Sequence, residues 1–146
     1  MRGPETYFLS ASASDADAHR AVLRENGGDT VTGETATAPP PGLEFILWDL
    51  AQTQHLRESS LFAEGLQASL NSLWRIRDRG VKQAPFTVLR GATMPAVLVE
   101  VGYLSNLEDA AMLADPDVRQ RIAESLFQGI SAFREQYAVL VGAPPN

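Results

Sequence analysis

A chain of 146 residues with 45% hydrophobic and 21% charged residues fits one globular domain large enough to bury a core, and excludes wholesale disorder. Its formal net charge of −6 argues against a broad phosphate-binding face, so no nucleic acid is expected as a partner. The absence of cysteine excludes disulfides, thiolate nucleophiles and cysteine zinc sites, and leaves any metal chemistry to His19, His55 and the carboxylates.

The opening Met-Arg-Gly-Pro-Glu-Thr lacks the apolar centre of a signal peptide, and no apolar run approaches the roughly 20 residues of a membrane span. Residues 6–10, Thr-Tyr-Phe-Leu-Ser, have the composition of a short strand. Ser12, Ser14 and Asp15 then offer capping oxygens for a helix running to about Asn26. Gly27-Gly28 ends that helix, and 27–42, rich in Thr, Gly and Pro, has no periodicity and reads as a flexible loop. From 43 to about 78 the chain keeps a helical rhythm, with Leu47, Leu50, Phe62, Leu66, Leu70, Leu73 and Trp74 mostly three or four residues apart.

Arg79-Gly80 stops the long helix, residues 85–90 read as a second strand, and 97–101 as a third whose β-branched run suits a strand covered on both faces. Asn106 is placed to cap a helix over 107–114. Asp115 can cap a last helix with Pro116 in its first turn, reaching about Tyr137 with an apolar stripe of Ile122, Leu126, Ile130 and Phe133. The tail, 142–146, is expected to fray. The pattern predicts an α/β fold, a mixed sheet flanked by helices, with about three strands and four helices in one domain over 1–141.

Glu100 is the residue that stands out, a carboxylate at the end of an otherwise apolar strand, near where ligand crevices form in open α/β sheets. Burial tunes a carboxyl group's proton affinity, which suits a general acid or base. The plainer alternative is a structural carboxylate paired with an arginine, for which Arg90 at the end of the preceding strand is available. His19 and His55 lack a second ligand at helical spacing and read as surface residues, so no metal ligand is assigned in this chain. Ser59, Ser60 and Ser105 lack the setting of a nucleophile elbow. The basic run from Arg75 to Lys82 suits either an anionic substrate or the negative end of a helix dipole.

Residues 79–90, Arg-Gly-Val-Lys-Gln-Ala-Pro-Phe-Thr-Val-Leu-Arg, and 94–106, Met-Pro-Ala-Val-Leu-Val-Glu-Val-Gly-Tyr-Leu-Ser-Asn, resemble the C-terminal signature of the zinc-dependent N-acetylmuramoyl-L-alanine amidases, the amidase type 3 family. Residues 5–10, the Glu25-Asn26 helix end and residues 46–59 resemble it too, so the likeness spans nearly the whole chain outside the loop around 39–41. The resemblance implies a phosphorylase/hydrolase-like amidase fold and hydrolysis of the amide between N-acetylmuramic acid and the L-alanine of the peptidoglycan stem peptide. In that family two histidines and a glutamate hold zinc, and a further glutamate, matched by Glu100, assists catalysis. Zinc would polarise the scissile carbonyl and acidify its bound water, while Glu100 takes the water's proton and passes it to the leaving nitrogen. Arg90 would orient Glu100 or the substrate.

The family's zinc-ligand motifs have no counterpart in this sequence, and neither His19 nor His55 falls at a ligand position. Two expectations follow: a catalytic domain incomplete at its N-terminus, whose isolated chain is inactive, or a short protein that lost its metal site. The first is preferred, because a start directly before a strand leaves an apolar sheet edge uncovered. The alternative function is a non-catalytic cell-wall-binding or regulatory module, with an activator protein docking through 27–78. The family implies a periplasmic or cell-wall location and peptidoglycan as partner. A structural α/β domain with an unrelated partner is the plainest remaining alternative.

Overall fold

The computed structural model describes residues 1–27, 43–73, 78–140 and 142, with the backbone alone over 43–54. Its elements run β1 (Glu5–Leu9), α1 (Ala16–Glu25), α2 (Leu43–Asn71), β2 (Val81–Ala84), β3 (Val97–Glu100), α3 (Leu107–Ala114) and α4 (Pro116–Leu140). A 3₁₀ turn, Thr87–Leu89, lies between β2 and β3. The residues of the expected loop from 28 to 42, the side chains of Leu47 and Leu50, Trp74 to Arg77 and the tail from 143 lie outside the described set.

β1 is central. It pairs in parallel with β2, Tyr7 opposite Lys82, and antiparallel with β3, Glu5 opposite Glu100 and Tyr7 opposite Leu98. Because side chains alternate along a strand, this register collects Glu5, Tyr7, Leu9, Lys82, Ala84, Leu98 and Glu100 on one face. There Tyr7 and Ala84 pack with Ala18, Ala21 and Val22 of α1, and with Phe86 and Leu89 beyond β2. The Tyr7 and Phe86 rings meet edge to face, 5.0 Å between centroids. On the opposite face Thr6 Oγ1 donates to Gln67 Oε1 of α2 at 2.9 Å, and Val99 joins Leu70, Val118 and Ile122 from α2 and α4. The result is helix, sheet, helix: a mixed sheet with α1 on one side and α2 and α4 on the other, as the sequence pattern predicts.

The helix boundaries follow their caps. Asp15 accepts from Ala18 N–H at 2.8 Å and starts α1, and Asn106 accepts from the N–H groups of Glu108 and Asp109 at 3.1 Å and starts α3. The second strand is displaced from its expected place. It occupies Val81–Ala84, and the expected strand over 85–90 is instead the 3₁₀ turn. Pro85 has no N–H to give a ladder, and Leu89 N–H turns back to Phe86 O at 3.2 Å. β3 is also half-buried along its length rather than covered on both faces.

The stripe on α4 needs a similar correction. Val118, Ile122, Ser125 and Gly129 are its buried positions, while Ile130 is 49% exposed. Gly129 is the inward position at this turn and lets α4 lie close against α2, and the helical step that follows turns Ile130 outward. A Cβ at position 129 would stand 2.8 Å from Leu66 Cδ2 and 3.3 Å from Leu66 Cα. Gly129→Ala is therefore expected to destabilise the fold by about 1 kcal/mol: overpacking costs roughly 1–3 kcal/mol, and helix propensity returns nearly 1. Gly65→Ala, on the exposed side of α2 with nothing within 4 Å, should stabilise by nearly 1 kcal/mol. Urea midpoints moving in opposite directions would check the pair.

Candidate active site

The two carboxylates that share a position in the sheet ladder, Glu5 and Glu100, define the site. Since β3 runs against β1, the carboxyl end of β3 lies beside the amino end of β1. Glu100 does close its strand as expected, but the crevice rule for parallel strand ends does not place it. Strand reversal does, by setting it next to Glu5.

Glu5 is fully buried. Its Oε2 accepts from the hydroxyl of Tyr7, two residues along the same strand face, and from the hydroxyl of Tyr103 at 2.9 Å. Its Oε1 stands 2.6 Å from Arg79 Nε and 3.8 Å from Lys82 Nζ. The Arg79 contact lacks hydrogen-bond alignment, so that oxygen is held by charge alone. Lys82 is itself buried on β2 and reaches Asp15 Oδ2 and Asp17 Oδ2, each at 3.4 Å; Arg79 also pairs with Asp17.

These neighbours shape the acid–base behaviour of the cluster. The N–H of Ala18 and then the Lys82 ammonium hold Asp15 below the usual carboxylate range. For Asp17, partial desolvation opposes ionisation, yet Lys82, Arg79 and Arg20 together outweigh it and lower its pKa. Burial, followed by hydrogen bonding to carboxylates, holds the Tyr7 and Tyr103 phenols far above their ordinary value. Both therefore stay protonated and act as donors. The sign is that of a group whose proton affinity rises on folding: its contribution is intact below the unfolded value of about 10 and is lost as pH climbs beyond it. We expect phenolate absorbance from these two tyrosines only as the chain unfolds above about pH 10. Reversible ionisation with the fold intact, followed by ultraviolet absorbance beside circular dichroism, would contradict this.

Glu100 is set differently. Its side chain is 13% exposed, and the cation that reaches it is Arg24 of α1, Nη2 to Oε1 at 3.5 Å. The Arg24 guanidinium also lies 5.4 Å from the centre of the Tyr103 ring. Glu100 Oε2 is buried with no hydrogen-bond partner among the described residues.

Tyr103 is brought back beneath the strands by its backbone. Gly102, with φ 151°, adopts a conformation that other residues rarely enter, and the N–H groups of Tyr103 and Gly3 both bond Asp109 Oδ2, at 3.0 and 2.8 Å. The fully buried Asp109 thus ties the turn after β3 to the chain entering β1. Asn26, the C-cap of α1, ties that helix to the segment after β2 by donating to Pro85 O at 3.2 Å and accepting from Thr87 N–H at 3.0 Å.

The remaining sequence candidates fall elsewhere. Arg90 closes the 3₁₀ turn, its N–H on Thr87 O, rather than ending a strand. His19 is exposed, but His55 is half-buried, with Nδ1 3.3 Å from Glu58 Oε2, and so is not the surface residue expected. Ser59 Oγ accepts from Ala96 N–H at 2.9 Å, pinning α2 to the chain entering β3. Arg79 and Lys82 face inward on carboxylates. Among the described residues no group of three or more His, Cys, Asp or Glu is arranged to hold a metal ion, so these side chains do not fit a zinc site. Nor is any described helix long and apolar enough to cross a membrane.

A family model described as N-acetylmuramoyl-L-alanine amidase matches residues 1–132. The chain belongs to this family. It is 31% identical over 132 residues to the N-acetylmuramoyl-L-alanine amidase AmiA of Escherichia coli, covering 90% of this chain and 46% of that protein. It is 41% identical over 81 residues to an uncharacterised cell wall amidase of Bacillus anthracis, covering 56% of this chain and 15% of that protein. The solved N-acetylmuramoyl-L-alanine amidase of Clostridium difficile superposes with a TM-score of 0.56 at 20% identity, over 92% of this chain and 50% of that one, which supports the α/β amidase fold. This amidase-family chain spans about half the length of such relatives.

Proposed function

We propose that this chain forms part of a peptidoglycan amidase and supplies its proton-transferring carboxylate, Glu100. The substrate class is the amide between N-acetylmuramic acid and the L-alanine of the stem peptide. One observation carries the reading: within the matched region, Glu100 presents a buried oxygen that no donor among the described residues reaches. A carboxylate in that state can accept a proton from an attacking water and deliver it to the departing nitrogen. Arg24 holds the other oxygen and fixes the direction of the free one. Arg90, beyond the 3₁₀ turn, is assigned to substrate binding. The described residues offer no set of ligands for zinc.

In this reading the domain covers 1–141, the isolated chain is inactive, and the site of action is the periplasm or cell wall. An activator protein would act through 27–78. Support for such a partner is the CwlD amidase of Clostridioides difficile, solved in complex with the GerS lipoprotein. The test has two arms. The isolated chain, supplied with zinc, should hold no stoichiometric metal and release no stem peptide from purified peptidoglycan. A chimera in which this chain replaces the stretch it matches in AmiA should release stem peptides. One zinc per isolated chain with peptide release would refute the first part, and a folded, zinc-loaded but inert chimera the second.

A further inference from the structure

The proposed mechanism makes no use of Glu5, yet Glu5 is the most deeply buried carboxylate facing Glu100. The two occupy the same rung of the β1–β3 ladder, so their side chains leave the same face of the sheet. The Tyr103 hydroxyl lies close enough to both to feel each as a hydrogen-bonding neighbour. It has one proton, and it directs that proton to Glu5 Oε2 at 2.9 Å. Glu100 Oε2 is left buried without a donor among the described residues, and a buried acceptor in that state calls for a reason.

We propose that Glu5 is a positioning residue for Glu100: by holding the Tyr103 hydroxyl proton it keeps Glu100 Oε2 free to accept one, and it faces that oxygen with a second negative charge. The proposal rests on the reading of Glu100 as the proton-transferring group. Arg79 and Lys82 stand as counter-charges against Glu5 Oε1, and the Tyr7 hydroxyl donates to Glu5 Oε2. These contacts fix Glu5 in place as the acceptor for Tyr103. The charged and titratable groups around Glu100 are then Glu5 and Tyr7 from β1, Arg24 from α1 and Tyr103 after β3. Asp15, Asp17, Arg79 and Lys82 stand behind Glu5.

Carboxyl-labelled glutamate in this chain, followed by carbon NMR at neutral pH, reads the arrangement directly. In Glu5→Gln the Glu100 carboxyl signal should move from its place in the parent chain, because an amide oxygen holds the Tyr103 proton less strongly than a carboxylate and lets it swing across. The shift should shrink when Tyr103→Phe is added. An unmoved Glu100 signal in folded Glu5→Gln overturns the proposal, as does an equal shift with and without Tyr103. Should Glu5→Gln fail to fold, Tyr103→Phe alone carries the test: the Glu5 signal should move at neutral pH and the Glu100 signal stay. The reverse pattern overturns it. Because the signal belongs to the carboxyl groups themselves, this outcome is separate from whether amide cleavage is ever detected.

Discussion

Glu100→Gln in the AmiA chimera is expected to lower the rate of stem-peptide release by roughly 10²- to 10⁴-fold, the usual contribution of a positioned general acid or base. Glutamine keeps the size and one acceptor oxygen of the side chain but cannot take up the water's proton. The loss should fall on kcat and on kcat/KM alike, because the missing interaction belongs to the transition state; a raised KM with kcat unchanged would point to binding instead. Folding should hardly notice the change. The ion pair given up joins Glu100 to a half-exposed Arg24 at 3.5 Å, and such pairs contribute about 0–1 kcal/mol. Activity within tenfold of the parent, or a stability loss of several kcal/mol, would return Glu100 to a structural role. Steady-state kinetics beside a denaturation curve on the same sample separate these outcomes.

The elements whose signals are local were legible in the sequence. Asp15, Asn106 and Pro116 announce helix starts by chemistry that needs no tertiary partner, and α1, α3 and the start of α4 fall where they indicate. The family motif around Glu100 was legible for the same reason. What was not legible depends on which strands pair. Reading the first strand from Thr6 left Glu5 outside it, although Glu5, Tyr7 and Leu9 alternate correctly for one face. Only the antiparallel register of β1 with β3 sets Glu5 against Glu100, and a run of short apolar segments does not encode that register.

Arg24 illustrates a second kind of blindness. Arg90 is the basic residue nearest Glu100 in sequence, whereas the one that pairs with it comes from α1, 76 residues away. In the sequence Arg79 and Lys82 belong to a basic run that suits an anionic substrate or the negative end of a helix dipole. Their inward turn follows from Lys82 sharing the Tyr7 face of the sheet, and from a buried glutamate waiting there. Gly129 shows the same limit in the helical layer. Periodicity favoured the larger Ile130, while close helix approach favoured the residue with no side chain.

Glu5→Leu is expected to destabilise the fold by about 3–5 kcal/mol, the range seen when one partner of a buried ion pair is removed. The apolar side chain would leave the buried Tyr7 hydroxyl without its acceptor, turn Tyr103 toward Glu100, and place Arg79 Nε against hydrocarbon. Lys82 would lose its buried counterion but keep Asp15 and Asp17 nearby, so it is not stranded. A domain of this size has only about 5–15 kcal/mol in all, so the substitution removes a large share of it. Partial relief should come from Arg79→Met in the same chain, since deleting both partners of a buried pair costs less than deleting one. If the double variant is no more stable than Glu5→Leu alone, the cost lies in the Tyr7 hydroxyl, and Tyr7→Phe should then restore part of it. A loss under about 1 kcal/mol, read from urea midpoints at unchanged slope, would mean that Glu5 is dispensable to the fold.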